Sequence, residues 1–174
     1  MTTFTCAHLS ISDGIAEVTL AATGKANLMG QAYWRELPEL FDELGANAQV
    51  RVIIIRGEGA HFSYGLNLPE MAGVLAPLIG SDAGARERRQ LLQLIRDMQH
   101  THDAVARCTK PVIAAIGGWC IGGAIDLITA CDIRLASSDA KFSIRETRLA
   151  MVADVGTLAR LPGIINEGAL RELA

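Results

Sequence analysis

The sequence predicts an α/β fold with a largely parallel sheet, and three features of the chain lead there. Val52-Ile53-Ile54-Ile55 places four β-branched residues in a row, the composition of a strand buried on both faces. Val112 to Ile116 is a second short apolar run, and Pro111 can begin such a strand without losing a needed ladder donor. Each run then enters a loop punctuated by glycine, Gly57 to Gly65 and Gly117 to Gly123, that leads into a helical pattern.

The elements follow in chain order. Phe4 to Ile11 and Ile15 to Ala21 are β-rich runs joined at Ser12-Asp13-Gly14, which reads as a hairpin because Gly tolerates positive φ. Thr23 to Asn27 is loop chemistry. Gln31 to Ala46 carries Trp34, Leu37, Leu40, Phe41 and Leu44 at helical spacing, ends at Gly45 and Asn47, and is expected to kink at Pro38. The strand at Arg51 to Arg56 follows, and the loop after it closes with His61 to Leu68 and opens a short helix. Ala72 to Ala85, rich in Gly, Ala and Ser and containing Pro77, is expected to be a mobile surface segment. Arg86 to Arg107 is a long amphipathic helix, apolar at Leu91, Leu92, Ile95, Met98 and Val105. His100 and His102, two apart, diverge on a helix; they make a poor metal pair and read as solvated. Ile133 to Ala136 and Ala140 to Ile144 are short strands, and a last helix runs from near Gly163 to Ala174.

Bulk properties narrow the function classes. With 174 residues, 50% of them hydrophobic and 20% charged, one domain over residues 1–174 is expected, with a substantial core. A net charge of -3 offers no broad basic surface for nucleic acid, and no apolar run approaches a membrane span. Cys6, Cys108, Cys120 and Cys131 form no CxxC pair, and the N-terminal MTTFTCAHLS has neither a basic nor an apolar signal region. A reducing compartment and a cytoplasmic location are therefore expected.

The chemistry concentrates in KPVIAAIGGWCIGGAIDLITACD, residues 110–132. Gly122 and Gly123 stand at the entrance of an apolar helix, Ala124 to Ala130. The first N–H groups of such a helix have no internal partner and lie at the positive end of its dipole. They suit a developing oxyanion, and Gly123 has no side chain to hold a substrate away. Asp126 falls on the same helical face as Gly123, which sets a carboxylate beside the donor. The plainer alternative gives the glycines to packing and Asp126 to the helix dipole. Farther on, Arg145 to Gly156 places Glu146 and Asp154 in a mostly apolar stretch.

Three blocks, RVIIIRGEGAHFSYGLNLPEM, KPVIAAIGGWCIGGAIDLITACDIRLAS and AKFSIRETRLAMVADVGTLARLP, resemble the enoyl-CoA hydratase/isomerase (crotonase) superfamily from the first hairpin to the last residue. The resemblance implies a crotonase (ClpP-like) spiral of ββα turns, here lacking the C-terminal helical lid. It implies an acyl-CoA thioester as ligand, with coenzyme A part of the substrate and no metal or redox cofactor. Leu66 and Gly123 would supply the oxyanion-hole N–H groups. Ser63, Tyr64, Gly65, Asn67, Leu68 and Gly122 would belong to the substrate-binding loops, and Lys25 and Ala26 would lie near the nucleotide end of CoA. The family also implies homo-oligomers, trimers often paired into hexamers.

Within the superfamily, Asp126 and Glu146 match the two acids with which hydratases handle a water, although the first is usually Glu. Asn67 stands where the family usually has Asp. The trio GGAIDL, RET and ADVGT resembles 3,5-dienoyl-CoA to 2,4-dienoyl-CoA isomerases, in which the positions of Asp126, Glu146 and Asp154 are all acidic. Moving a conjugated diene one carbon toward the thioester removes a proton at C2 and adds one at C6, which calls for two proton carriers. Met151-Val152-Ala153 and Val155 are expected to wall Asp154 with apolar surface, the alternative being a cap for the helix near Gly156. The resemblance thus implies a β-oxidation isomerase. An enoyl-CoA hydratase and a non-catalytic acyl-CoA-binding or assembly subunit are the alternatives.

Overall fold

The computed structural model describes residues 3–21 and 26–174. Strands β1 (Ala7–Ser12) and β2 (Ile15–Leu20) pair antiparallel, with Ser12 opposite Ile15. The two turn residues, Asp13 at φ 52° and Gly14 at φ 82°, take the left-handed pair of conformations that a two-residue hairpin needs. From β2 onward every pairing is parallel: β2 with β3 (Val52–Gly57), β3 with β4 (Val112–Ile116), and β4 with β6 (Ile133–Ala136). A second, two-stranded parallel sheet joins β5 (Trp119–Ile121) to β7 (Lys141–Ser143). In β3 Ile53 and Ile55 are buried while Val52 and Ile54 are half-covered, so the run is buried fully on one face rather than on both.

Helix α1 (Gln31–Ala46) has the predicted bounds, with Pro38 inside it. Leu37, Leu40, Phe41 and Leu44 are buried as its period demands, and Tyr33 and Glu36 join them. Helix α2 (Leu68–Ile79) occupies much of the segment expected to be mobile. Asn67 caps it by accepting the Glu70 N–H, Pro69 sits in its first turn, and Met71 is buried beneath it. Pro77 is tolerated because it falls in the last turn and leaves only the exposed Gly73 carbonyl without its helical donor. Helix α3 (Ala85–Ala106) buries Met98, Thr101, His102, Ala104 and Val105, whereas Leu92 is exposed. His102 is therefore not a solvated histidine. It shares the inner stripe with Met98 and Val105, four residues before and three after.

Helix α4 (Gly123–Ala130) is buried at every one of its 8 residues. Beyond β7 lie α5 (Thr157–Arg160), a 3₁₀ turn at Leu161–Gly163, and α6 (Glu167–Leu173), the expected last helix with a start later than Gly163. Pro162 has no N–H to continue a helix, and Asn166 starts α6 by accepting the Ala169 N–H. One hydrophobic cluster runs from Phe4 through the sheet to Leu161.

Glu36 ties the N-terminal segment to α1. Its carboxylate accepts the Thr5 N–H at 2.7 Å, the Cys6 N–H at 3.0 Å and the Thr5 hydroxyl at 2.9 Å. Burial disfavours its charge, but these bonds and the Arg35 contact outweigh it and bring the carboxyl down to about 2. A folded pKa below the unfolded one gives stability that is present above about pH 4.5 and is lost as pH falls toward 2. Glu36→Gln is expected to remove about 2 kcal/mol at neutral pH and to flatten the acid limb of a denaturation profile between those values.

Candidate active site

Two loops meet at the N-terminus of α4. In the first, the Asn27 side chain donates to the carbonyls of Glu58, His61 and Phe62 at 2.9, 2.9 and 3.1 Å and pins the loop after β3. Ser63 is fully buried; its hydroxyl donates to the Asn27 carbonyl at 2.7 Å and accepts the Gly65 N–H at 3.0 Å. Met29 then bridges both neighbours of Leu66, giving its N–H to the Gly65 carbonyl and accepting the Asn67 N–H. That pattern turns the Leu66 N–H away from Met29, and it has no backbone partner among the described residues.

The second loop is β5 and the glycine pair. Gly122, at φ 56° and ψ -125°, takes a conformation reserved for glycine, and its N–H bonds the Ser143 carbonyl of β7. This turn delivers Gly123 as the first residue of α4, with an N–H that also lacks a backbone partner among the described residues. The two donors are side by side. A Cβ at Gly65 would lie 2.9 Å from the Gly123 nitrogen, and one at Gly123 would lie 3.9 Å from the Leu66 nitrogen.

Glu146 borders this pair, and Asp126 follows Gly123 by three residues on α4. Glu146 opens a 3₁₀ turn, Glu146–Leu149, and folds back until its Oε1 lies 3.3 Å from where a Gly122 Cβ would be; its Oε2 is buried with no hydrogen-bond partner among the described residues. Asp126 is wholly buried on α4. Its Oδ1 accepts the Thr157 N–H at 2.5 Å, and its Oδ2 has no partner among the described residues. Burial pushes its carboxyl up to about 6, against the pull of hydrogen bonding from Thr157, and the charges of Glu146 and Asp154 push it further. All three acids are thus within electrostatic reach.

Asp154 differs from the expectation in its surroundings. Met151 and Val152 are 45% and 63% exposed, and Asp154 is exposed as well, so the flanks do not wall it off. Nor does it cap α5. The N-cap there is Gly156, without a side-chain bond, and the first free N–H of that helix goes to Asp126. Asp154 is held through its backbone, its carbonyl accepting Gln99 Nε2 at 2.7 Å.

Of the remaining predicted positions, the Ala26 carbonyl accepts the Tyr64 N–H at 2.9 Å, and the half-buried Tyr64 ring stacks on His61 at 5.2 Å. Asn67 donates its Nδ2 to Glu70 at 2.7 Å, a bond that an aspartate could not give, and Leu68 is exposed at the start of α2. Lys25 lies outside the described residues. Sequence reasoning missed Thr157, Gln99, Tyr33 and His102. For His102 the signal was present in its place on the apolar stripe of α3.

The family model for enoyl-CoA hydratase/isomerase matches residues 10–174, and the chain belongs to that family. A mitochondrial Delta(3,5)-Delta(2,4)-dienoyl-CoA isomerase of Dictyostelium discoideum is 45% identical over 92% of this chain and 54% of its own length. The human mitochondrial relative of the same name is 42% identical over 92% of this chain and 49% of its own, and the peroxisomal one of Arabidopsis thaliana is 45% identical over 85% and 53%. The chain spans about half the length of these relatives. An enoyl-CoA hydratase structure from Bacillus anthracis superimposes with a TM-score of 0.82 at 29% identity, covering 97% of this chain and 61% of that one, so the fold is the crotonase fold. The expectation of a cytoplasmic protein is overturned, since these relatives are mitochondrial or peroxisomal. Free thiols are compatible with any reducing compartment and do not choose among them.

Asp126 has a stability signature of its own. Its folded pKa lies above the unfolded value, so its burial costs stability progressively as pH rises from about 3.8 to about 6 and costs most above that. Asp126→Asn removes the charge, and its side-chain oxygen can still accept the Thr157 N–H. It is expected to be more stable than the parent above pH 6, by up to about 3 kcal/mol in urea denaturation, and about equal to it below pH 4.

Proposed function

We propose that this chain carries the active site of an isomerase that converts 3,5-dienoyl-CoA thioesters to 2,4-dienoyl-CoA. The observation that carries the reading is the pair of adjacent N–H donors bordered by Glu146, with Asp126 close behind on α4 and its carboxyl raised further by the charges of Glu146 and Asp154. The names of the relatives support it. The thioester carbonyl oxygen accepts the N–H groups of Leu66 and Gly123, which stabilise the negative charge that develops when the C2 proton leaves. Glu146, hanging over Gly122 beside those donors, takes that proton. The electron pair shifts along the diene through a dienolate, and Asp154 supplies the proton that arrives at C6. Asp126, buried on α4, adds negative charge to the group, and its own carboxyl is raised by burial and by the charges of the other two. Ala26, Tyr64, Gly65, Asn67 and Leu68 then belong to the loops that seat the CoA portion, with β-oxidation as the setting and a homo-oligomer as the working form.

The same geometry offers acids for a water, so enoyl-CoA hydration is the reading to test against. Incubation with 2-trans-enoyl-CoA and with 3,5-dienoyl-CoA separates them by mass, because hydration adds a water and isomerisation adds nothing. Binding with neither reaction would favour a non-catalytic acyl-CoA-binding subunit.

Asp154→Asn keeps the size of the side chain and removes its exchangeable acid. Isomerisation is expected to fall about a hundredfold with CoA affinity unchanged, and deuterium from solvent should no longer enter C6. A parent-like rate would end the assignment of the C6 acid. Gly65→Ala tests the donors. With φ at 76° and a Cβ only 2.6 Å from the Ile121 carbonyl oxygen, the variant is expected to lose about 1–3 kcal/mol of stability and at least roughly a hundredfold in turnover.

A further inference from the structure

His102 is fully buried, and its ring is engaged at both nitrogens. Nδ1 lies 3.1 Å from the Val155 carbonyl, and Nε2 lies 3.0 Å from the Tyr33 hydroxyl. A carbonyl oxygen only accepts, so Nδ1 carries the proton. Burial lowers the ring to about 4, with Arg160 opposing its charge as well, while the bond to Val155 and the charge of Asp103 favour it. The ring is therefore neutral near pH 7, and Nε2 accepts the Tyr33 O–H. Trp34 packs edge-on against both rings, at 4.9 Å from Tyr33 and 5.4 Å from His102. One tautomer in one orientation is what this arrangement allows.

The face of α3 that carries His102 also holds the neighbouring backbone. Gln99 donates to the Asp154 carbonyl, His102 donates to the Val155 carbonyl, and Asp103 pairs with Arg160. Two residues past Val155 the Thr157 N–H reaches Asp126. Between them Gly156, at φ 148°, brings the turn onto α4, where its Cβ would lie 3.7 Å from Asp126 Cβ. The carboxyl of Asp126 thus takes its hydrogen bonding among the described residues from Thr157, in a turn held by α3.

We propose that His102, with Gln99 beside it, is a positioning residue of this site: its Nδ1–H fixes the Val155 carbonyl and so places Asp154 on one side and the Thr157 N–H donor to Asp126 on the other. Its kinetic consequence rests on the isomerase reading; its effect on Asp126 does not. The groups that face Asp126 are Glu146 and Asp154, with the Tyr33 ring nearby, and those that face His102 are Arg160, Asp103 and Tyr33. Substituting Gln99 alters none of these, and substituting His102 removes the acceptor of the Tyr33 hydroxyl and leaves the charged groups in place.

The experiment compares His102→Leu, His102→Asn and Gln99→Met with the parent chain. The Asp126 carboxyl is titrated by ¹³C NMR, assigned by its loss in Asp126→Asn, and kcat and KM are measured with 3,5-dienoyl-CoA across pH. Leucine removes the donor. Asparagine puts an amide N–H where Nδ1–H stood. Loss of the donor loosens the Thr157 bond that favours the ionised carboxyl, so in His102→Leu the Asp126 midpoint is expected to rise by about one pH unit. In the same variant kcat is expected to fall about tenfold with KM changed less than about twofold. His102→Asn should recover most of both. A space-filling role alone would lower the melting temperature of His102→Leu and leave the Asp126 midpoint and kcat of the folded fraction unmoved, and that result overturns the proposal. Equal loss in the asparagine variant also overturns it. If His102→Leu does not fold, Gln99→Met decides: a fall in kcat of at least about threefold at constant KM supports the proposal and an unchanged kcat overturns it. A parent chain that binds dienoyl-CoA without isomerising it would refute the isomerase reading, and the Asp126 titration would then decide the positioning role by itself.

Discussion

A carboxyl group without water is the constraint on which the rest of this molecule turns. Helix α4 has no solvent face, and Asp126 is the one charged side chain along it. Burying such a group without full compensation costs several kcal/mol, and the compensation among the described residues comes from Thr157 at the start of the next helix. That bond requires α5 to start where it does. Its start depends on a glycine turn at φ 148°, and that turn is held from the far side by α3. A chain shaped by stability alone would carry an amide or an aliphatic residue at this position. Retention of an acid at such a cost marks the place where stability yields to chemistry.

The paired N–H donors arise from a different constraint, which is backbone geometry. Each depends on a glycine: Gly65 lets the two segments approach closely enough to bring Leu66 and Gly123 together, and Gly122 takes the positive φ that turns the chain into α4. The donating atoms are backbone, so the identity of the Leu66 side chain is secondary. What must be conserved in physical terms is the absence of a Cβ at the neighbours. Glu146 uses the same gap from the opposite side, its carboxylate resting where a Gly122 side chain would otherwise stand.

Much of the fold was legible from periodicity. Helix α1 has the predicted bounds, and the hairpin turn and β3, β4 and β6 fall within a few residues of theirs; α1, β3 and β4 bury a face whose spacing is written in the chain, whereas the largely exposed β6 is held by its pairing with β4. What escaped was decided by partners distant in sequence. The three residues of β5 are a strand only because β7 and Ser63 lie alongside. The length of α2 escaped, because Gly and Pro beyond its first turn weaken a local pattern, yet its capping by Asn67 and the burial of Met71 hold it. His102 was misjudged because its polarity outweighed its position on the apolar stripe, and its bond to Tyr33 is visible only in three dimensions. For the site, glycine-loop chemistry and the carboxylates were readable. The exposure of Asp154 was not, since apolar neighbours in sequence do not guarantee apolar neighbours in space.

That exposure gives the three acids a graded relation to solvent: Asp126 sealed, Glu146 half-covered with one oxygen buried, Asp154 open. The gradient bears on the proposed isomerisation. A reaction that removes one proton and returns another at a distant carbon leaves the two carriers in each other's starting states, and the enzyme must restore both before the next turnover. An exposed Asp154 can exchange with water directly, whereas Glu146, tucked over Gly122, is shielded during the step in which its proton must not be lost. Asp126 exchanges with neither. In the proposed step it would contribute negative charge from within α4, and the charges of Glu146 and Asp154 in turn raise its own carboxyl. Burial, rather than residue type, is then what distinguishes three chemically similar side chains.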